Sequence, residues 1–309
     1  MTTTLLYDAF VLCLGEADHI FERGYVVVED DRIAEVGAMR DLPEGRAFDT
    51  RIDCSGKLVM PGLVNAHTHT PMTLFRGFAE GVSLLTLDGW YNTIRTLELV
   101  MTADMVPAAV EVACAEMIRT GTTTFADQYF FMDQIVPAVA KSGLRAALAY
   151  GVVELGDPVA RERELTRLDA FLEEVGNHPS GRLKGWVGPH AFFVDNSLET
   201  MAREKVLSEK YDTGLHIHIS TTGEEDDFCR THYGTTAVKK MRELGMLERP
   251  TLAAHAISIP EEDWSILATS PFTCVIAASA CMRAGAEAAP TVGMRAAGIN
   301  LAIGTDNVC

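Results

Sequence analysis

Pro61-Gly62-Leu63-Val64-Asn65-Ala66-His67-Thr68-His69 is the stretch on which the reading of this chain turns. A Pro-Gly turn runs into a short apolar segment, and the segment ends in His-x-His. Side chains alternate across a strand, so His67 and His69 share one face. Two imidazoles side by side at a strand end suit a bound metal ion, because His is the commonest metal ligand. A pair of turn or surface histidines would look the same. The decision therefore rests on whether the rest of the chain brings further ligands.

Downstream, strand-like and helical patterns alternate. Strands are expected at 64–66, 121–126, 145–153, 183–187, 214–219, 251–254, 273–278 and 299–304. Helices are expected at 103–119, 132–142, 159–175, 197–212, 224–232, 235–245, 260–268 and 289–297. Val106, Val110, Ala113 and Met117 mark one face of the first, which Thr102 is expected to cap. Leu165, Leu168, Leu172 and Val175 mark the face of another, which stops at Gly176. The connection 70–101 reads as long and partly irregular. Eight β/α units argue for the α/β class and a closed (β/α)8 TIM barrel, with an open doubly wound sheet as the competitor. Polar residues at the C-terminal ends of the strands favour the barrel: His67 and His69, Asp127, His190, His218, His255 and Asp306. In a barrel these ends ring one mouth, where such enzymes place their chemistry. His216 shares a face with His218 and stays open between ligand, supporting group and core residue. His19, His178 and His232 read as surface residues.

Residues 1–60 read differently. Leu5–Leu14 is apolar, Tyr25–Val36 reads as two strands around an acidic Glu29-Asp30-Asp31 turn, and Ile52–Met60 as a turn and strand. The segment carries no cluster of chemical groups and is expected to be the N-terminal part of a composite, β-sandwich-like domain, with 61–309 as the hydrolase barrel. Of all residues 48% are hydrophobic, which places the chain among globular proteins. Asp and Glu number 43 against 26 Lys and Arg, a net charge of −17 that argues against nucleic acid or an anionic membrane as partner. The seven cysteines are scattered and odd in number, which fits a reduced cytoplasmic setting. No signal peptide and no membrane span are read.

Taken together, Pro61–His69, Gly121-Thr-Thr-Thr-Phe-Ala-Asp127, Gly188-Pro-His190-Ala, Leu215-His-Ile-His218, Ala254-His255-Ala and Gly304-Thr-Asp306 resemble the amidohydrolase superfamily. The nearest branch holds S-adenosylhomocysteine/methylthioadenosine deaminases, guanine deaminases and triazine (atrazine-type) hydrolases. The resemblance implies a barrel enzyme with one divalent metal ion, Zn2+ or alternatively Fe2+, held by His67, His69, His218 and Asp306. It implies that hydroxide generated from metal-bound water attacks a ring carbon of a nitrogen heteroaromatic substrate. Asp306 would carry the proton and His255 would orient the tetrahedral species. The reaction expected is hydrolytic deamination of a nucleoside-, purine- or triazine-like compound. A triazine-type chlorohydrolase or an amide/urea hydrolase is the alternative within the fold, and an impaired binding or scaffold relative is the alternative of another class. The partner expected is a small-molecule substrate, and the assembly a homo-oligomer.

Three departures qualify the resemblance. Relatives of the deaminase type carry Glu three residues after the third His, where Thr221 stands here, so Glu224 becomes the candidate proton donor. Cys281, in Ala278-Ser-Ala-Cys-Met-Arg, replaces an expected Asn. Family members also continue well beyond Gly-Thr-Asp, so the chain is expected to be a fragment lacking its C-terminal part. Glu98 falls where nucleoside deaminases hold ribose hydroxyls, and His190 matches their Gly-Pro-His. Trp90, Tyr91, Gln128 and Tyr129 are the expected pocket walls.

Overall fold

The computed structural model describes residues 1–15, 19–192 and 196–306, and its internal contacts divide the chain into two compact units, Met1–Leu63 and Val64–Cys309. In the first, β1 (Thr3–Cys13), β2 (His19–Glu29) and β3 (Arg32–Ala38) run antiparallel, and β4 (Thr50–Asp53) and β5 (Leu58–Val59) lie parallel to β1. Tyr25 and Val27 pack with Leu5, whereas Val26 packs with Ala9 and Val11. That split is the period of two that a pleated strand imposes. Glu29 pairs with Arg32, which leaves Asp30 and Asp31 at the hairpin tip. Asp30 takes a left-handed φ of 51°, a conformation Asp tolerates better than most residues.

The second unit is the expected TIM barrel. Its strands are β6 (Leu63–Thr68), β7 (Thr122–Tyr129), β8 (Arg145–Val152), β9 (Leu183–Pro189), β10 (Leu215–Ile219), β11 (Thr251–His255), β12 (Phe272–Ile276) and β13 (Asn300–Ile303). They neighbour one another in sequence order, and helices connect them. A parallel bridge between Thr68 and Asp306 brings the last strand to the first. Thr305 and Asp306 both donate their N–H to His67 O, at 3.1 and 3.0 Å. Asn65 reinforces this seam: its Nδ2 donates to Thr305 Oγ1 at 2.8 Å and its Oδ1 accepts from Thr305 N–H at 3.0 Å. No helix among the described residues is long and apolar enough to cross a membrane.

The helix faces read from periodicity are buried: Val106, Val110, Ala113 and Met117 on one, Leu165, Leu168, Leu172 and Val175 on another. Element ends differ from expectation for local reasons. Thr102 does not cap its helix, because its hydroxyl donates to Asp104 Oδ1. A 3-10 turn, Ala103–Met105, comes first, and the α-helix starts at Val106 with Pro107 in its first turn. The strand expected to reach residue 278 stops at Ile276, and Ala278–Ala284 turns helical until Gly285 ends it with a left-handed φ of 63°. That stretch is rich in alanine, the strongest helix former. Within 70–101 a continuous helical run covers 87–98, with a π-turn at Trp90–Ile94. Such turns occur frequently at functional sites.

Candidate metal centre

The strand ends carry their polar side chains into the barrel mouth. Along β6, Leu63 and Val64 are exposed while Asn65, His67 and Thr68 are buried, as is His69 just beyond. His67 Nε2 and His69 Nε2 lie 3.3 and 3.4 Å from Asp306 Oδ1, and His218 Nε2 lies 3.2 Å from His69 Nε2. One ligand atom from each of His67, His69, His218 and Asp306 falls within 4.8 Å of all the others. The opposite ring nitrogens are engaged. His69 Nδ1 donates to Gln128 O at 2.6 Å and His218 Nδ1 donates to His190 O at 3.0 Å. A carbonyl only accepts, so both rings carry a hydrogen on Nδ1, which leaves Nε2 of each facing the cluster, with a lone pair to offer whenever the ring is neutral. His67 Nδ1 lies 2.7 Å from His216 Nε2. Burial, then the nearby charges of His67 and His69, hold His216 well below its ordinary range. With His67 Nε2 given to a metal ion, the His67 hydrogen would sit on Nδ1 and neutral His216 would accept it.

The charge states suit a cation. Burial takes His67 down to about 4, against the bond from Asp306, and burial with the neighbouring histidines holds His218 well below its usual range. Burial would raise Asp306, but the charge of His255 and the bonds from His67 and His69 overcome it and keep the carboxylate well below its ordinary value. His69 goes the other way: despite burial, the hydrogen bond and charge of Asp306 raise it. Three imidazole nitrogens and one ionised carboxylate, all buried, form a donor set that fits a divalent metal ion.

A family model for the amidohydrolase family matches residues 58–309. The chain belongs to the amidohydrolase family. A 5-methylthioadenosine/S-adenosylhomocysteine deaminase from Halothermothrix orenii is 38% identical over 289 residues, covering 93% of this amidohydrolase chain and 65% of the relative. A 5'-deoxyadenosine deaminase from Methanosarcina mazei is 35% identical over 307 residues, covering 99% and 69%. The crystal structure of an adenosine deaminase from Xanthomonas campestris with bound zinc superposes with a TM-score of 0.91 at 25% identity, covering 99% of this chain and 69% of that one. The chain thus spans about two thirds of the length of the curated relatives it matches.

Around this amidohydrolase centre a cavity is lined by His69, His218, His255 and Asp306 on the polar side and by Leu84, Leu85, Leu87, Trp90 and Ile94 on the apolar side. Thr221 lines it too. His255 sits at the end of β11 with a left-handed φ of 76°, and its Nδ1 is buried without a hydrogen-bond partner among the described residues. His190 lines the same cavity, its ring 5.2 Å from that of Trp90. Glu98 is placed one step away, in a smaller void shared with His69, Trp90, Gln128 and His190. Its carboxylate lies 3.3 Å from Arg95, and burial raises its pKa against the charges of His190 and Arg95. Gln128 acts as a brace inside the barrel: its Nε2 donates to His216 O at 2.6 Å and Pro189 O at 3.2 Å. Tyr129 is buried near His69 and Tyr91 is exposed.

Glu224 is not brought to the cavity. It is exposed in the first turn of the helix Gly223–Tyr233, which Thr222 caps, and its Oε2 accepts from Leu87 N–H at 3.1 Å. Asp127 is likewise no part of the four-atom cluster. It accepts from Thr70 N–H at 2.8 Å and Thr70 Oγ1–H at 2.6 Å, and so fixes the residue after His69. Burial pushes its carboxyl up to about 6, against those two bonds. Two contributors were missed in the sequence, Asn65 and Glu225. Asn65 carried a signal in its position, two residues before His67 on the same strand face.

Proposed function

We propose that this chain is the catalytic barrel of a metal-dependent hydrolase that deaminates a nitrogen heteroaromatic ring of nucleoside, purine or triazine type. Zn2+ is the ion proposed, with Fe2+ as the alternative, and His67, His69, His218 and Asp306 would hold it. One observation carries the reading: three Nε2 atoms and one carboxylate oxygen converge while His69, His218 and His67 each have Nδ1 engaged elsewhere. The relatives' names, deaminases of adenosine derivatives, support the substrate class. A bound divalent ion would supply Lewis acidity, which lowers the pKa of water from 15.7 to roughly 7.

The chain's own residues would do the rest. Asp306, ionised at neutral pH, would take a proton from the attacking water and deliver it to the leaving group. His255, whose pKa burial lowers, would use the ring nitrogen that has no partner among the described residues to orient the tetrahedral species. Leu84, Leu85, Leu87 and Trp90 would exclude water around the ring. His190 and Trp90 would contact the substrate, with Glu98 and Gln128 behind them. Residues 1–60 are proposed as the N-terminal part of a composite β domain.

A second reading is favoured by Thr221. It lines the cavity where a carboxylic acid would protonate a ring nitrogen, and Glu224 lies outside. An already activated carbon, as in a chlorinated or aminated triazine, needs no such donor. The experiment is a panel of adenosine derivatives, guanine, triazines and pterins with zinc-loaded protein, monitoring ammonia and chloride together. Ammonia release that a chelator abolishes is expected, and Thr221→Glu should raise the rate on adenine-like rings more than on triazines. No release of either product from zinc-saturated protein on any member of the panel would overturn the proposal.

A further inference from the structure

The helix Gly223–Tyr233 opens with four consecutive carboxylates, Glu224 to Asp227, and the first three bond to segments around it. Glu224 takes Leu87 N–H from the segment that contributes the apolar side. Asp226 accepts from Ser220 Oγ–H at 3.0 Å and from Ala237 N–H at 3.2 Å. Glu225 lies between them, 1% exposed, and reaches both neighbouring strand ends. Its Oε1 accepts from Phe192 N–H at 3.1 Å, two residues beyond His190, and its Oε2 accepts from Ser220 N–H, two residues beyond His218. The same two loops meet directly at the centre, where His190 O accepts from both His218 N–H and His218 Nδ1–H at 3.0 Å. Ser220 is held at a left-handed φ of 46°, which an L-residue adopts only when its surroundings impose it.

From these contacts we infer that Glu225 is a positioning residue, an inference that rests on the reading of His218 as a metal ligand. Its carboxylate clamps the loop after β9 to the loop after β10, which keeps His190 O beneath His218 Nδ1 and sets where Thr221 meets the cavity. A carboxylate suits this task because both its oxygens accept and two backbone N–H groups face it. Glutamine would turn an N–H group toward one of those donors. Aspartate keeps the charge but is one methylene shorter and reaches only one of them.

The probe is Zn2+ titrated into the full chain against a competing chelator, with the visible spectrum of the Co2+-loaded protein as a second readout. Glu225→Gln and Glu225→Asp are expected to weaken zinc binding by about 10–100-fold, as changes to groups that orient metal ligands do, and to shift the cobalt bands. Glu154→Gln is the control. Glu154 is also a buried carboxylate, bonded to Ser197 N–H and Arg161 and absent from the cavity lining. It should lower the thermal midpoint yet leave zinc affinity unchanged. Adding Ser220→Gly to Glu225→Gln should recover part of the lost affinity, since glycine adopts that φ without strain. Should Glu225→Gln fail to fold, the aspartate variant carries the measurement. Wild-type zinc affinity in Glu225→Asp, with zinc lost in His218→Ala, overturns the positioning role alone. Unchanged zinc binding in His218→Ala overturns the metal reading itself and the inference with it.

Discussion

Replacing Gly304 by alanine should loosen the barrel where its last strand meets its first. A Cβ at residue 304 would lie 2.9 Å from the Cβ, the backbone N and the backbone O of His67. Ordinary contact begins near 3.4 Å, so the strands must part by about half an ångström. Backbone atoms are among the neighbours, so a rotamer change cannot relieve the clash. The separation takes the bonds from Thr305 N–H and Asp306 N–H to His67 O, now 3.1 and 3.0 Å, to the edge of hydrogen-bonding range. Two weakened bonds at about 1 kcal/mol each and overpacking of about 1–3 kcal/mol put the loss at about 3–5 kcal/mol. Asp306 moves with the strand, away from His67 Nε2 and His69 Nε2, so zinc affinity should fall about tenfold or more. Urea unfolding of the metal-free chain measures the first effect, and chelator competition measures the second. Gly176→Ala is the control, since a Cβ there meets nothing within 4 Å. If Gly304→Ala unfolded within about 0.5 kcal/mol of the parent chain and bound zinc as tightly, the argument that the seam positions the centre would be refuted.

Two further outcomes can be measured. His216→Ala removes the ring partner of His67 Nδ1 and should weaken zinc binding by about 10–100-fold; unchanged affinity would mean that His67 needs no such partner. Burial pushes the Asp127 carboxyl from its ordinary 3.8 up to about 6, so folding binds this proton more tightly and its contribution to stability falls as pH rises through that window. The stability of the parent chain minus that of Asp127→Asn, followed by urea unfolding of metal-free protein, should therefore descend between those pH values and level off above them. A difference that rose with pH would contradict the burial argument.

Legibility in the sequence followed locality. The helix faces at Val106–Met117 and Leu165–Val175 could be read because helical packing repeats every three to four residues. His67, His69, Asp127, His190, His218, His255 and Asp306 could be grouped because strand ends converge in a barrel whatever their separation along the chain, whereas the choice of four ligands among them came from the resemblance to the amidohydrolase superfamily. Capping at Thr102 could not be read, since a hydroxyl two residues from a carboxylate has a competing acceptor in Asp104. The helix at Ala278–Ala284 was hidden because alanine and serine after an apolar run also fit a strand end. The first turn of the helix Gly223–Tyr233 is the most instructive case. Successive residues on a helix are rotated by about 100°, so Glu224 faces Leu87 at the surface while Glu225 faces the barrel. Composition alone cannot choose between adjacent glutamates, whereas the phase set by the Thr222 cap does. Asn65 and Thr305 are 240 residues apart, and no pattern in either neighbourhood names the other.

That same separation has a consequence for how the protein comes into being. His67 and Asp306 stand 239 positions apart, yet their side chains face each other at 3.3 Å. The contact closes a ring of nearly the whole barrel, and a contact so distant along the chain is entropically costly and slow to form. His67 on β6 and His69 just beyond it are made early in synthesis but gain their carboxylate partner only after β13 has docked against β6. Tight capture of a metal ion is therefore a report on completed closure, and a partly folded barrel would display histidines with no place to hold the ion. Zinc uptake followed during refolding would time the last docking event of the chain.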